Sequence, residues 1–105
     1  MKFHDAFPSD YFKAADIDGE APVLMITEVS TEAMRDGEEK RTLSFKETKK
    51  RLPLNKTNWM KVSEITGEED DGKWPGKQIR LVKERVVFRG ERVDAVRVDN
   101  ADAPF

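Results

Sequence analysis

The fold of this chain depends on one stretch, residues 55–67, which reads NKTNWMKVSEITG. Asn55 is a favourable N-cap, and Gly67 is a favourable stop for a helix. Between them, apolar residues recur at helical spacing, so the stretch predicts one helix of about three turns. The segments on either side have β-type patterns. The position of this helix among the strands therefore decides which β fold is expected.

Three strands are predicted before the helix. Residues 23–29 are rich in β-branched and long apolar side chains, and a turn at 35–38 leads into residues 41–47. In that second strand, apolar and polar residues alternate. Residues 52–54 form a short third strand, in which Pro53 favours an edge position because proline cannot donate to a sheet hydrogen bond.

Two strands are predicted after the helix. Residues 78–88 form a long β segment whose alternation slips near residues 82–85, which predicts a bulge or a bend. A turn at 89–92 then leads into a last strand, residues 93–98, and completes a hairpin. The order of elements is therefore β-β-β-α-β-β.

This element order over residues 20–99 resembles the oligonucleotide/oligosaccharide-binding (OB) fold. The expected fold class is mainly β: a five-stranded, OB-fold-like, partly open barrel with one helix between strands three and four and a short N-terminal helix. An SH3-like barrel or a plain α+β meander would give a similar order. The helix disfavours small barrels that lack one in mid-chain.

A chain of 105 residues suits a single domain. Residues 1–19 are expected to be an N-terminal helical segment packed on the core, with a capped helix or turn from Pro8 to Ile17. Residues 20–98 would form the OB-like domain. Residues 99–105 would be an acidic C-terminal tail.

Several function classes are disfavoured by composition. The chain has no cysteine and one histidine, His4, so neither a zinc site nor a histidine-based triad can be assembled within it. The acidic cluster at residues 68–71 lacks the spaced ligands of an EF-hand loop, and no phosphate-binding glycine motif is present. We therefore expect no enzyme activity, no metal and no cofactor.

Hydropathy predicts a cytoplasmic protein. No apolar stretch approaches the roughly 18 residues of a membrane span, and residues 1–12 lack a signal-peptide apolar segment. No membrane association is expected, and the compartment would be the host cytoplasm if a phage encodes the chain.

Charge is segregated along the sequence although the net charge is only −2. Residues 40–61 hold 8 basic and 1 acidic side chains, a net of +7, and residues 73–98 hold 8 and 3, a net of +5. A fold that places both blocks on one face would form a positive groove for nucleic acid. The plainer interpretation is a set of solvated strand faces.

In an OB fold, strands two and three and the loops joining strands one to two and four to five form the binding face. Cations and stacking rings there suit a single strand of DNA, and DNA versus RNA is left open. The candidate nucleic-acid-binding residues are Lys40, Arg41, Lys46, Lys49, Lys50, Arg51, Lys56, Trp74, Lys77, Arg80, Arg89 and Arg92.

Aromatic residues offer few stacking surfaces. Phe45, Trp59 and Phe88 are expected in the core because of their places in the strand and helix patterns. Trp74 precedes Pro75 beside a loop, where it could cap the barrel or present a stacking face. With one or two stacking rings, affinity would be modest or would need several subunits, so homo-oligomerisation is left open.

The C-terminal residues DNADAPF form a short acidic tail that ends in Pro-Phe. This tail resembles the tip of bacterial single-stranded DNA-binding proteins, whose acidic tails dock replication and repair partners. The resemblance implies that Phe105 is the anchor, Pro104 its rigid neighbour, and Asp99 and Asp102 the charges that meet a basic rim. The tail here is shorter, with two acids and no long linker.

The middle of the chain, with LNKTNW, a WPGK strand entry and a basic hairpin, is similar to small phage proteins of replication and recombination regions. The expected function is non-sequence-specific binding of single-stranded DNA, with recruitment of replication or recombination proteins. The main alternative is a structural or interaction protein, such as a phage accessory subunit that uses the barrel as a protein-binding platform. A DNA-mimicking inhibitor is a third interpretation.

Overall fold

A computed structural model describes residues 11–17, 19–34 and 36–102. The order of strands and helix agrees with the prediction, with the helix between the third and fourth strands. The elements are a 3₁₀ helix at Ala14–Ile17, β1 at Val23–Ala33, β2 at Glu39–Phe45, β3 at Leu52–Pro53, α1 at Lys56–Thr66, a second 3₁₀ helix at Asp71–Lys73, β4 at Gln78–Phe88 and β5 at Glu91–Asn100.

The five strands form one antiparallel sheet in the order β3-β2-β1-β4-β5. Strand β1 is central: Val23–Met25 pair with β4, and the rest of the strand, from Ile26 on, pairs with β2. The register shifts between Ile26 and Glu28, which bends β1 where it passes from one neighbour to the other. The predicted mainly β class is confirmed, and the open sheet is compatible with a partly open barrel.

Helix α1 has the termini that the sequence predicts. The Asn55 side chain accepts a hydrogen bond from the Asn58 backbone N–H at 2.8 Å, and Gly67 ends the helix in the left-handed conformation with φ of 74°. The Asn58 Nδ2 atom also donates to the Val96 carbonyl at 3.0 Å, which ties the helix to β5. The helix therefore packs beside the last strand of the sheet.

The core lies between the sheet and α1. Its largest fully buried side chain is Trp74, whose Nε1–H donates to the Glu68 carbonyl at 2.9 Å. Phe45 is buried, as predicted. Other fully buried members of the core are Ile17, Ile26, Leu43, Val62, Ile79 and Leu81.

Two local predictions differ in part from the structure. No bulge interrupts residues 82–85, because β4 and β5 pair without a break from Ile79–Asn100 to Phe88–Glu91. Apolar and polar residues do not alternate there because this part of β4 is exposed on both faces, so burial imposes no pattern on its sequence. In the N-terminal segment, the predicted short helix is confirmed as a 3₁₀ helix at Ala14–Ile17, but Tyr11 forms a parallel bridge with Arg51 instead of a helical turn, and residues 8–10 lie outside the described residues.

Candidate nucleic-acid interface

Strands β4 and β5 extend beyond the rest of the sheet as a two-stranded ribbon. Only residues 78–80 of β4 pair with β1, whereas the pairing with β5 continues to Phe88 and Glu91. Arg85 and Asp94 lie opposite each other on the two strands of this ribbon, and Arg85 Nε is 3.5 Å from Asp94 Oδ1. The ribbon therefore presents side chains to solvent on both faces.

The ribbon ends in a two-residue turn at Arg89 and Gly90. Both residues have positive φ, 53° and 81°, as a type I′ hairpin turn requires. Asn, Asp or Gly normally occupies the first of these positions, because the left-handed region costs other residues about 1–2 kcal/mol. Among the described residues, Arg89 is the only non-glycine with positive φ. A long cation is thus held at the tip at a conformational cost.

An aromatic ring lies beside this turn. Phe88 is 59% exposed, and the Arg89 guanidinium carbon lies 5.2 Å from the centre of its ring. Val87 and Val93, on the two strands next to the turn, are 71% and 38% exposed. The prediction that Phe88 lies in the core is therefore wrong, because the ribbon carries it past the end of the core.

Three of the candidate cations form ion pairs within the fold. Arg41 Nε lies 2.7 Å from Asp71 Oδ2, and this hydrogen bond raises the pKa of the Arg41 guanidinium. Arg51 pairs with Glu32, and Lys50 Nζ lies 3.6 Å from the carboxylate of Asp16. A phosphate would have to compete with carboxylates at all three positions.

Two further candidates have structural roles. Arg80 donates to the Ala21 and Ala101 carbonyls at 2.7 and 3.1 Å, which joins the chain before β1 to the chain after β5. Trp74 is fully buried, so it belongs to the core and offers no face to a base. The question that the sequence left open for Trp74 is thereby answered by its burial.

The other candidate cations have no ion pair with any residue in the described part of the chain. These are Lys40, Lys46, Lys49, Lys56, Lys77, Arg89 and Arg92.

Four of these seven cations lie in two pairs. Arg89 and Arg92 lie at and next to the ribbon turn, while Lys40 and Lys56 line one cleft at the start of α1. Strand β2 begins opposite Ala33, the last residue of β1, so Lys40 lies near that end. Strand β4 continues past Val23, the first residue of β1, towards the ribbon turn. The two pairs therefore lie towards opposite ends of β1.

The predicted tail begins later than expected. Asp99 belongs to β5, opposite Arg80, because the strand continues to Asn100. Asp102 is exposed just after the strand. Pro104 and Phe105 lie outside the described residues.

Sequence reasoning missed the exposed apolar residues of the ribbon, although a signal was present. Val86, Val87 and Phe88 are consecutive, and successive residues of a strand point to opposite faces. At least one of the three therefore had to face away from the core. A hairpin turn directly after them means that no further pairing could cover them.

The described residues contain no group of three or more His, Cys, Asp or Glu side chains that could hold a metal ion. No helix in this part of the chain is long and apolar enough to cross a membrane. What the site offers chemically is exposed positive charge next to an exposed ring.

Over the described residues, the fold is thus mainly β, with one open five-stranded sheet, one α-helix, two short 3₁₀ helices and a ribbon that carries exposed cations. No protein-family model matches the chain, and none of the curated proteins or solved structures compared with it matches significantly.

Proposed function

We propose that this protein binds single-stranded DNA without strong sequence preference. The observation that carries the proposal is the tip of the ribbon, where the exposed ring of Phe88 lies beside Arg89, and Arg92 follows on β5 opposite Val87. Neither cation forms an ion pair with a described residue. Non-specific single-strand binders need this combination, because bases stack on a flat ring while cations neutralise phosphates.

The ribbon suits a single strand better than the predicted β2–β3 face does. On that face, Arg41 and Arg51 are paired with acids, and Trp74 is buried. At the tip, by contrast, a base can reach the Phe88 ring without unfolding any part of the sheet. One ring and two cations support modest affinity, which would increase if several copies bound one strand.

A protein-binding platform is the second candidate, favoured by a different observation. Val87, Phe88 and Val93 give the tip exposed apolar area that a protein partner could cover. The two functions differ in salt dependence, because phosphate binding releases counterions and apolar docking does not.

We also propose that the protein acts in phage or bacterial DNA replication or recombination and recruits a partner through the C-terminal residues Asp99, Asp102, Pro104 and Phe105. Support comes from the sequence resemblance of the tail. Deleting Pro104 and Phe105 should leave DNA affinity unchanged and abolish capture of a replication protein. Loss of DNA binding in this variant would contradict the assignment of the tail.

The test is fluorescence anisotropy with a labelled single strand of about 30 nucleotides, long enough for more than one site, and with its duplex. We expect preference for the single strand, and an affinity that falls steeply with salt. Phe88→Ala should weaken binding while the protein stays folded. No binding at low salt would refute the proposal and would favour the protein-binding platform.

A further inference from the structure

A cleft of about 360 Å³ opens where β2 begins and α1 starts. One side is formed by the entry to β2, including Glu39 and Lys40, and the other by the first turn of α1, including Lys56 and Trp59. Its volume lies within the range of about 300–1,000 Å³ that is typical of ligand pockets. The sequence prediction placed Trp59 in the core and did not anticipate this site.

We infer that this cleft is a subsite for one nucleotide of the bound strand, with the base against Trp59 and the phosphate between Lys40 and Lys56. The inference rests on the proposed function. It adds a second contact point to the strand, distinct from the ribbon tip.

Trp59 is the side chain that would receive the base. It is half-buried, lines the cleft and packs on Trp74 with ring centres 5.4 Å apart. Trp74 is fixed in turn by its hydrogen bond to the Glu68 carbonyl. Because Trp59 is already held by its neighbour, a base that contacts it would find a positioned surface rather than a mobile one. The Trp59 indole N–H has no hydrogen-bond acceptor among the described residues.

Lys40 and Lys56 are the cations that would meet the phosphate. They reach the cleft from different elements, and neither forms an ion pair with a described residue. Arg41 lines the same cleft but is held by Asp71. Glu38 and Glu39 also line the cleft, and their negative charges would keep the phosphate on the lysine side.

The matched variants are Lys56→Gln and Thr57→Glu. Each lowers the net charge by one in the same helical turn, but Lys56 lines this cleft whereas Thr57 lines a different one, beside β5. We expect Lys56→Gln to reduce single-strand affinity about fivefold at 0.1 M salt and to reduce the salt slope by about 0.7, the loss of one phosphate contact. Thr57→Glu should change affinity less than twofold. Adding Lys40→Gln to Lys56→Gln should reduce affinity by a similar factor again.

Tryptophan fluorescence tests the base contact. Trp74 is fully buried, so quenching by an unlabelled oligonucleotide should come from Trp59. We expect quenching in the parent protein, none in Trp59→Phe, and unchanged quenching in Arg89→Asn once the strand is saturating. A thermal unfolding curve for Trp59→Phe verifies that the variant is folded.

The outcomes separate the two proposals. If Lys40→Gln/Lys56→Gln binds the strand as well as Thr57→Glu does, the subsite is refuted, while sensitivity to Arg89 and Phe88 substitutions would still support strand binding. Quenching that persists in Trp59→Phe also refutes the subsite. If the parent protein binds no single strand at low salt, both proposals fail together.

Discussion

Replacing Arg89 with asparagine tests the role of its charge in DNA binding without straining the backbone of the ribbon turn. Arginine occupies a position with φ of 53°, where asparagine is tolerated far better. Arg89→Asn therefore removes the charge at the tip while leaving the backbone in a conformation that suits the new residue. A loss of binding in this variant cannot be attributed to a misfolded turn.

The expected magnitudes follow from the geometry of the tip. Arg89 forms no ion pair with a described residue, so its full charge is available to one phosphate. Losing one contact to a single strand reduces the salt slope by about 0.7, which corresponds to about fivefold weaker binding at 0.1 M salt. The turn itself should become more stable, by up to about 1 kcal/mol, because the strain of a left-handed arginine is removed.

Affinity is measured by anisotropy over a series of salt concentrations, and turn stability by amide hydrogen exchange in the ribbon. The control is Lys73→Ala, which removes an exposed cation from the second 3₁₀ helix, away from the ribbon. Equal affinity and equal slope in Arg89→Asn and the parent protein would refute the role assigned to the tip. An equal loss of affinity in Lys73→Ala would show that strand binding depends only on the net charge of the protein.

Four further predictions concern single residues. Phe88→Ala should change the free energy of unfolding by less than about 0.5 kcal/mol, because the ring is 59% exposed, but weaken strand binding by about 1–3 kcal/mol; equal binding would contradict stacking. Trp74→Ala should cost about 3–5 kcal/mol in urea unfolding, because the side chain is fully buried; a loss below about 1 kcal/mol would contradict its core role. Gly67→Ala should cost about 1 kcal/mol in the same assay, because Gly67 ends α1 at φ of 74°; an unchanged midpoint would contradict this. Asp71→Asn should cost less than about 1 kcal/mol, because the Arg41 side chain is 41% exposed. Asp71 raises the pKa of Arg41 in the folded protein. The stabilisation by the Arg41–Asp71 pair is therefore fully present below the unfolded pKa of arginine, and it is lost only as pH rises through the higher folded pKa. The cost should therefore be the same at about pH 7 and 9, and a cost that fell over this range would contradict the assignment.

Local signals predicted the elements well. The ends of α1 depend on Asn55 and Gly67, and each acts on backbone groups within four residues of itself. Strand β2 was recognisable from the alternation of its apolar and polar residues, and β1 from its β-branched and long apolar residues, of which Leu24 and Ile26 are buried. The order of elements followed directly.

Patterns failed where a residue's environment depends on distant parts of the chain. Arg41, Lys50 and Arg51 were expected to meet phosphates, but acids far away in sequence, Asp71 among them, fold next to them. A list of cations shows which charges exist, but the pairing of those charges depends on which segments pack together. Only the folded chain shows which cations have no acidic partner nearby.

The burial of the aromatic rings also depends on distant parts of the chain. Trp74 lies beside a loop before β4, and Phe88 ends an apolar run before a turn, and the sequence around them does not distinguish a core ring from an exposed one. Trp74 is buried because α1 and the sheet close over it, and Phe88 is exposed because β1 stops pairing with β4 after Arg80. The helix, the strands and the charge blocks are local properties of the chain and could be predicted, whereas strand overlap is a long-range property that exists only in the assembled sheet.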